Sequence, residues 1–282
     1  MRKKIKKIIQ KSVGYYFNAL AYVSPKTLEK QGFQLFCNPM AKAIKKHQLQ
    51  FLEKGKKEIL TIESEKIQTY KWGNGSKKIV CIHGWASHSF RWKSYIENLL
   101  ENDFTVYAFD APAHGLSTGK MLHVVLYGKA INQMILHNQE IEYIVSHSIG
   151  GFATTYWLQH YKNNAENIKK VVIMGAPGEA KDFFDFYQSI LGLSQKSVQI
   201  ISRSFTKRLG HEPDYFSASK FASDLEKECL IIHDKEDKDT NPNYSIELNK
   251  NWNKSQLILT EGLGHNLKSK NLEQKVIDFI LN

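Results

Sequence analysis

Cysteine is scarce in this chain. There are three, Cys37, Cys81 and Cys229, and no C-x-x-C spacing. Cys81 and Cys229 lie inside apolar runs, where cysteine behaves as a small hydrophobe. These facts argue against a disulfide framework or a zinc site, and a reducing, cytoplasmic setting is expected. Long apolar runs are missing too: no stretch reaches the roughly 18 apolar residues of a membrane span. There is no internal repeat and no low-complexity tract. Acidic residues are under-represented, 28 against 39 lysines and arginines, for a formal charge of +11. Such a balance suits nucleic acid, an anionic membrane or an acidic substrate. Much of it is lysine in short clusters, however, the residue of solvated faces, and no nucleic-acid-binding module accompanies it.

What is present is enough apolar material, 42% of 282 residues, for one large core. Residues 1–57 read as a helical extension. MRKKIKK resembles the start of a signal peptide, but Lys11 and Asn18 interrupt the apolar run and no small-residue cleavage site follows. Ile5, Ile8, Ile9, Val13, Tyr16, Phe17 and Leu20 follow helical spacing instead. Packing against its own domain is the expected use of this helix, and weak contact with an anionic membrane surface is the alternative. Ser24-Pro25 and Asn38-Pro39 both read as helix starts.

From residue 58 the pattern changes. EILTI and KIQTYKW alternate like two antiparallel strands. Six short apolar runs follow, at 79–84, 104–110, 142–148, 169–177, 229–234 and 256–262, mostly separated by helical segments. That alternation implies an α/β fold with a mostly parallel sheet covered on both faces. The gap before residue 229 is too long for one crossover helix. Residues from about 181 to 222 therefore read as a helical insertion above the carboxyl ends of the strands.

Three loops carry chemistry. Ser146-His147-Ser148-Ile149-Gly150-Gly151 joins a strand to a helix. Small residues on either side of Ser148 permit the sharp turn that exposes a nucleophile; the plainer reading is an ordinary glycine-rich turn. The hydroxyl needs a base, and the last strand ends in Gly262-Leu263-Gly264-His265. The base needs an acid, and the preceding strand ends in Asp234-Lys235-Glu236-Asp237-Lys238-Asp239. Asp237 is preferred for its distance beyond the strand, with Asp234 and then Asp239 as alternatives. Backbone N–H groups of Trp85, after Gly84, and of Ile149 are the expected oxyanion donors.

Taken in order, His83-Gly84-Trp85, Asp110-Ala111-Pro112-Ala113-His114-Gly115-Leu116-Ser117, the Ser148 loop, His233 to Asp237 and Gly264-His265 resemble the α/β-hydrolase superfamily, in its serine hydrolase branch. The resemblance covers about 58–282 and leaves 1–57 outside. Three positions depart from the superfamily's pattern: Ser146, Ala113 and Asp234 each stand where glycine is usual. Alignment with the H-G-x-x-D loop also selects Asp237. The resemblance implies an α/β-hydrolase fold with a helical lid at about 181–222. It also implies a hydrolase that cleaves a small-molecule carboxylic ester, or a related thioester or amide, through an acyl-enzyme on Ser148, with no cofactor and no metal. An acyltransferase of the same fold and an inactive binding protein are the alternatives. Phe183, Phe184, Phe186 and Tyr187 in the insertion can line an acyl pocket or simply pack the insertion.

Overall fold

The alternating segment forms β1 (Lys56–Ile62) and β2 (Glu65–Trp72), antiparallel from Lys56 opposite Lys71 to Ile62 opposite Glu65. The apolar runs become β3 (Lys77–Ile82), β4 (Phe104–Phe109), β5 (Tyr143–His147), β6 (Lys170–Met174), β7 (Glu228–Asp234) and β8 (Ser255–Thr260). They join one sheet in the order β1-β2-β4-β3-β5-β6-β7-β8. Only the β1–β2 and β2–β4 pairings are antiparallel. The coordinates are a computed structural model. They describe residues 2–282, apart from the side chains of Arg2, Lys3, Lys4 and Lys6. The expected solvation of the Lys3, Lys4 and Lys6 cluster therefore lies outside the described side chains.

The helices are α1 (Arg2–Val23), α2 (Pro25–Phe36), α3 (Lys46–Leu52), α4 (Lys93–Glu101), α5 (Val124–His137), α6 (Ile149–His160), α7 (Ala180–Leu191), α8 (Gln195–Leu209), α9 (Ala218–Ala222), α10 (Asn243–Asn251) and α11 (Lys270–Leu281). No described helix is long and apolar enough to cross a membrane.

The chain divides into two compact units. The larger, Pro39–Gly178 with Ala218–Asn282, holds the whole sheet. Its central strands are mostly apolar because helices cover both faces. Ile79 and Cys81 of β3, with Val145 of β5 and Leu230 of β7, meet Ile96 and Leu99 of α4 and Val276 and Ile277 of α11. The cysteines are free and buried. Desolvation pushes the Cys37 thiol up to about 12, and raises Cys81 and Cys229 as well. From β3 the chain passes to β4 on one side and, later, to β5 on the other. The adjacent carboxyl ends of β3 and β5 thus form a topological switch point, where open α/β sheets bind ligands.

The smaller unit, Met1–Asn38 with Glu179–Ser217, is helical. Residues that the sequence divides between an N-terminal extension and an insertion pack together here. Leu28 and Phe33 of α2 are buried, and Phe205 of α8 lies 6.3 Å from Phe33. Ser24 precedes α2 with Pro25 in its first turn, as expected. Asn38-Pro39, however, opens no helix. Met40 has a left-handed backbone, φ 44°, which an α-helix excludes. The next helix waits until Lys46, where the Gln48 side chain accepts the Lys45 N–H at 2.8 Å.

Candidate active site

The site begins with backbone geometry at the end of β5. Ser148 has φ 54° and ψ −130°, a strained conformation that costs a non-glycine residue about 1–3 kcal/mol. Its surroundings enforce it. The Ser148 N–H donates to the Met174 carbonyl at 2.8 Å. A Cβ at Gly150 would lie 2.4 Å from the His83 carbonyl oxygen, and one at Gly151 2.8 Å from Ile173. Ser146 fits where glycine is usual because its hydroxyl, fully buried, donates to the Val172 carbonyl at 3.0 Å. On the other side, a Cβ at Gly84 would come within 2.8 Å of the Ser148 Cβ. The loop after β3 therefore packs too closely on the serine to admit a side chain at Gly84.

The loop after β8 brings His265 to Ser148, with Nε2 3.0 Å from the serine Oγ. Its other nitrogen, Nδ1, lies 2.8 Å from Asp237 Oδ2, on the loop after β7. The Asp237 side chain is wholly shielded from solvent. Burial by itself raises an acid's pKa. Here it is outweighed by hydrogen bonds from the Thr240 and Asp239 N–H groups, the His265 ring and the Thr240 hydroxyl, and the carboxyl is held below its usual value. An ionised Asp237 makes Nδ1 of His265 the donor and leaves Nε2 as acceptor for the serine proton.

Of the three candidate acids, only Asp237 bonds His265. Asp234 is buried and turns to the histidine loop's approach, accepting from the Thr260 hydroxyl at 2.7 Å and the Leu263 N–H at 2.9 Å. Asp239 is exposed, and its N–H supports the Asp237 carboxylate at 2.8 Å.

Several supports escape sequence reasoning. His147 is buried beside Ser148 and its Nε2–H donates to the His265 carbonyl at 2.7 Å. Arg91 donates to the Asn266 carbonyl at 3.0 Å, and burial lowers its guanidinium to about 10. The Thr240 hydroxyl lies 2.8 Å from Asp237 and 3.2 Å from His265 Nδ1. His114 accepts the Ala86 N–H at Nε2, 3.0 Å away, while Nδ1 donates to the Pro112 carbonyl at 2.9 Å. This fixes the turn after Trp85, where Ala86 has φ 51°. The signals available were a polar residue, His147, closing an apolar strand, and the place of His114 inside the Asp110–Ser117 stretch that carries the resemblance.

The expected oxyanion donors flank the serine in different ways. Ile149 is the first residue of α6, so its N–H has no partner within the helix. Trp85 follows the close-approach glycine, and its side chain is exposed. The insertion aromatics pack within the helical unit to different degrees. Phe184 is buried and stacks on Phe36 with ring centres 4.4 Å apart, and Tyr187 meets Phe36 edge-on at 5.3 Å. The helical unit's own core employs both; Phe183 is half-buried and Phe186 exposed. Among the described residues, one trio could gather around a cation: Asp237, Asp239 and His265, with ligand atoms within 4.8 Å. A cation there would displace the Nδ1 proton that faces Asp237.

An elbow serine after β5, a histidine after the last strand and an acid after the strand before it, on a mostly parallel eight-stranded sheet, define an α/β hydrolase. Residues 73–220 match the family described as serine aminopeptidase, S33, and the chain belongs to that family. A Mycoplasma pneumoniae protein named "Putative esterase/lipase 3" is 27% identical over 157 residues, 54% of this chain and 55% of that protein. A Danio rerio "Serine hydrolase-like protein" is 28% identical over 120 residues, 40% of this chain and 36% of its own length. The chain thus matches about half or less of these relatives. Among solved structures, Est1E from Butyrivibrio proteoclasticus, with ferulic acid bound, shares the fold at a TM-score of 0.64 and 17% identity, covering 79% of this chain and 98% of its own. An esterase from Exiguobacterium antarcticum does so at 0.63 and 15%, covering 81% and 100%.

Proposed function

We propose that this protein is a serine hydrolase of carboxylic esters. The observation that carries the reading is the continuous chain from Ser148 Oγ to His265 Nε2 at 3.0 Å and from His265 Nδ1 to Asp237 at 2.8 Å. His265 takes the serine proton as Oγ attacks the carbonyl carbon, and Asp237 stabilises the imidazolium that results. The oxyanion rests on the N–H groups of Ile149, at the start of α6, and of Trp85, beside the Ala86 turn that His114 holds. The tetrahedral adduct collapses as His265 passes its proton to the departing alcohol. Water then attacks the acyl-serine with His265 again as base, releasing the acid and restoring the hydroxyl. The esterase named among the curated relatives supports an ester over an amide substrate.

A fluorophosphonate probe tests the nucleophile: it labels the wild type and leaves Ser148→Ala unlabelled. A series of p-nitrophenyl esters of increasing chain length, run beside an aminoacyl anilide, tests the substrate class. Ser148→Ala lowers ester turnover by about 10³-fold or more. Equal labelling of both proteins rejects the nucleophile, and faster anilide than ester cleavage rejects the substrate class.

A further inference from the structure

We propose that the outer face of α1 is a docking surface for an anionic lipid bilayer. Apolar side chains left exposed on a folded protein are ordinary when scattered and informative when gathered. On α1, Ile5, Ile8 and Ile9 are 49%, 65% and 59% exposed, and Tyr15, Tyr22 and Val23 are 76%, 73% and 79% exposed. At 100° per residue these six fall within an arc of roughly 140°. Ser12 and Ala19, also exposed, share the arc and are uncharged.

The arc cannot turn inward, because the opposite side of the helix is already bound within its own unit. Phe17 and Ala21 are buried. Gly14 lies so close to α7 that a Cβ there would sit 1.8 Å from the Leu191 carbonyl oxygen. Asn18 donates to the Gly192 carbonyl at 3.0 Å and accepts from the Ser194 N–H and the Ser197 hydroxyl, both at 2.8 Å. The helix is thus amphipathic in the opposite sense to a core helix held by a single face: one face packs, and a second apolar face looks out.

Charge selects the occupant. The segment carries Arg2, Lys3, Lys4, Lys6, Lys7 and Lys11, and no carboxylate occurs before Glu29. Lys7 is exposed, and Lys196 of α8 sets its ammonium 3.8 Å from the centre of the Tyr22 ring. An apolar stripe with tyrosines in a lysine-rich segment is the pattern of a helix lying in the plane of a bilayer interface. There the isoleucines enter the acyl boundary and the ammonium groups meet lipid phosphates. A second protein chain would need carboxylates to match these cations, and the α1 segment has none to offer a copy of itself.

Co-sedimentation of the full chain with vesicles tests this, using equal parts phosphatidylglycerol and phosphatidylcholine against phosphatidylcholine alone. The wild type sediments with the anionic vesicles, and added salt weakens the partition. The exposed double variant Ile8→Gln/Ile9→Gln keeps its circular dichroism and its ester turnover in solution, yet partitions about tenfold less or worse. Lys7→Gln/Lys196→Gln weakens binding to anionic vesicles only. Failure of the wild type to sediment with the anionic vesicles, equal partition of the isoleucine variant, or a self-associated species that the isoleucine variant dissolves without any vesicle binding would each overturn the proposal. None of these readouts depends on which substrate Ser148 attacks.

Discussion

The imidazole of His147 donates from Nε2 to the main-chain carbonyl of His265 at 2.7 Å. The residue beside Ser148 therefore grips the backbone of His265, the proposed base. The two rings lie 4.8 Å apart, and burial, with Arg91 nearby, pushes His147 well below its ordinary pKa. It acts as a fixed neutral donor. His147→Leu is expected to lower kcat about 10–100-fold with little change in KM, because a displaced base loses its near-attack geometry. His147→Gln, which keeps an N–H donor on a side chain of similar reach, recovers most of the loss. A KM rise with unchanged kcat would speak against this positioning role.

The acid is tested by comparing neighbours. Asp237→Asn places an amide against His265 Nδ1 and favours the wrong tautomer, so turnover falls by about 10³–10⁴-fold. Asp239→Asn alters an exposed side chain whose backbone N–H is the supporting group, so turnover stays within about twofold. Steady-state kinetics on one p-nitrophenyl ester checks both, and equal losses would reopen the choice of acid.

Gly84 lies where the loop after β3, proposed to hold the oxyanion, packs against Ser148. A methyl group there would meet the Ser148 Cβ at 2.8 Å and His147 Nδ1 at 2.9 Å. Gly84→Ala must push the loop or the serine aside. Overpacking of this kind costs about 1–3 kcal/mol of stability, and the donor displaced with the loop costs a further 10²-fold or so in kcat. Denaturant titration and kinetics of the same variant separate the two effects. Wild-type kcat in the variant would show that the loop does not hold the oxyanion.

Stability should fall on mild acidification. His83, His114, His147 and His233 all have pKa values below their ordinary 6.5, chiefly through burial. The unfolded chain takes up protons as pH drops through 6.5, while the folded chain resists. Below that value the unfolded state thus binds more protons, so stability rises with pH. The contribution is complete above 6.5 and is lost as pH falls from there towards the folded-state values. His114 and His83 also accept the Ala86 and Ala111 N–H groups through their unprotonated nitrogens, so protonation breaks those bonds. Thermal unfolding followed across this range should show a midpoint that levels off near neutrality and declines below 6.5; a flat profile on the acid side would contradict it.

Much of the sheet could be read beforehand because a strand covered on both faces must be apolar throughout, and Ile79-Val80-Cys81-Ile82 is such a run. The pairing of β1 with β2 followed from alternation. Distance beyond the strand and alignment with the H-G-x-x-D loop favoured Asp237 over Asp234 and Asp239, but pattern alone does not say which carboxylate meets His265. That depends on which one the turn from Asp234 to Thr240 directs towards β8. Asn38-Pro39 misled for a similar reason: the local signal for a helix start was present, but the left-handed Met40 cut it short.

Local pattern along the chain was enough to order the strands and helices, to single out Ser148 at a tight turn and to point to His265 beyond the last strand. These features depend on short-range periodicity and on small residues at tight turns. The folded arrangement was needed to show that Asp237 faces the histidine and that Asp234 ties down its loop. It was needed too for His147 and His114 as buried props, and for the two faces of α1, one packed and the other bare. Those outcomes depend on contacts between segments far apart in the chain, where burial and distance, not spacing along the sequence, set which groups meet.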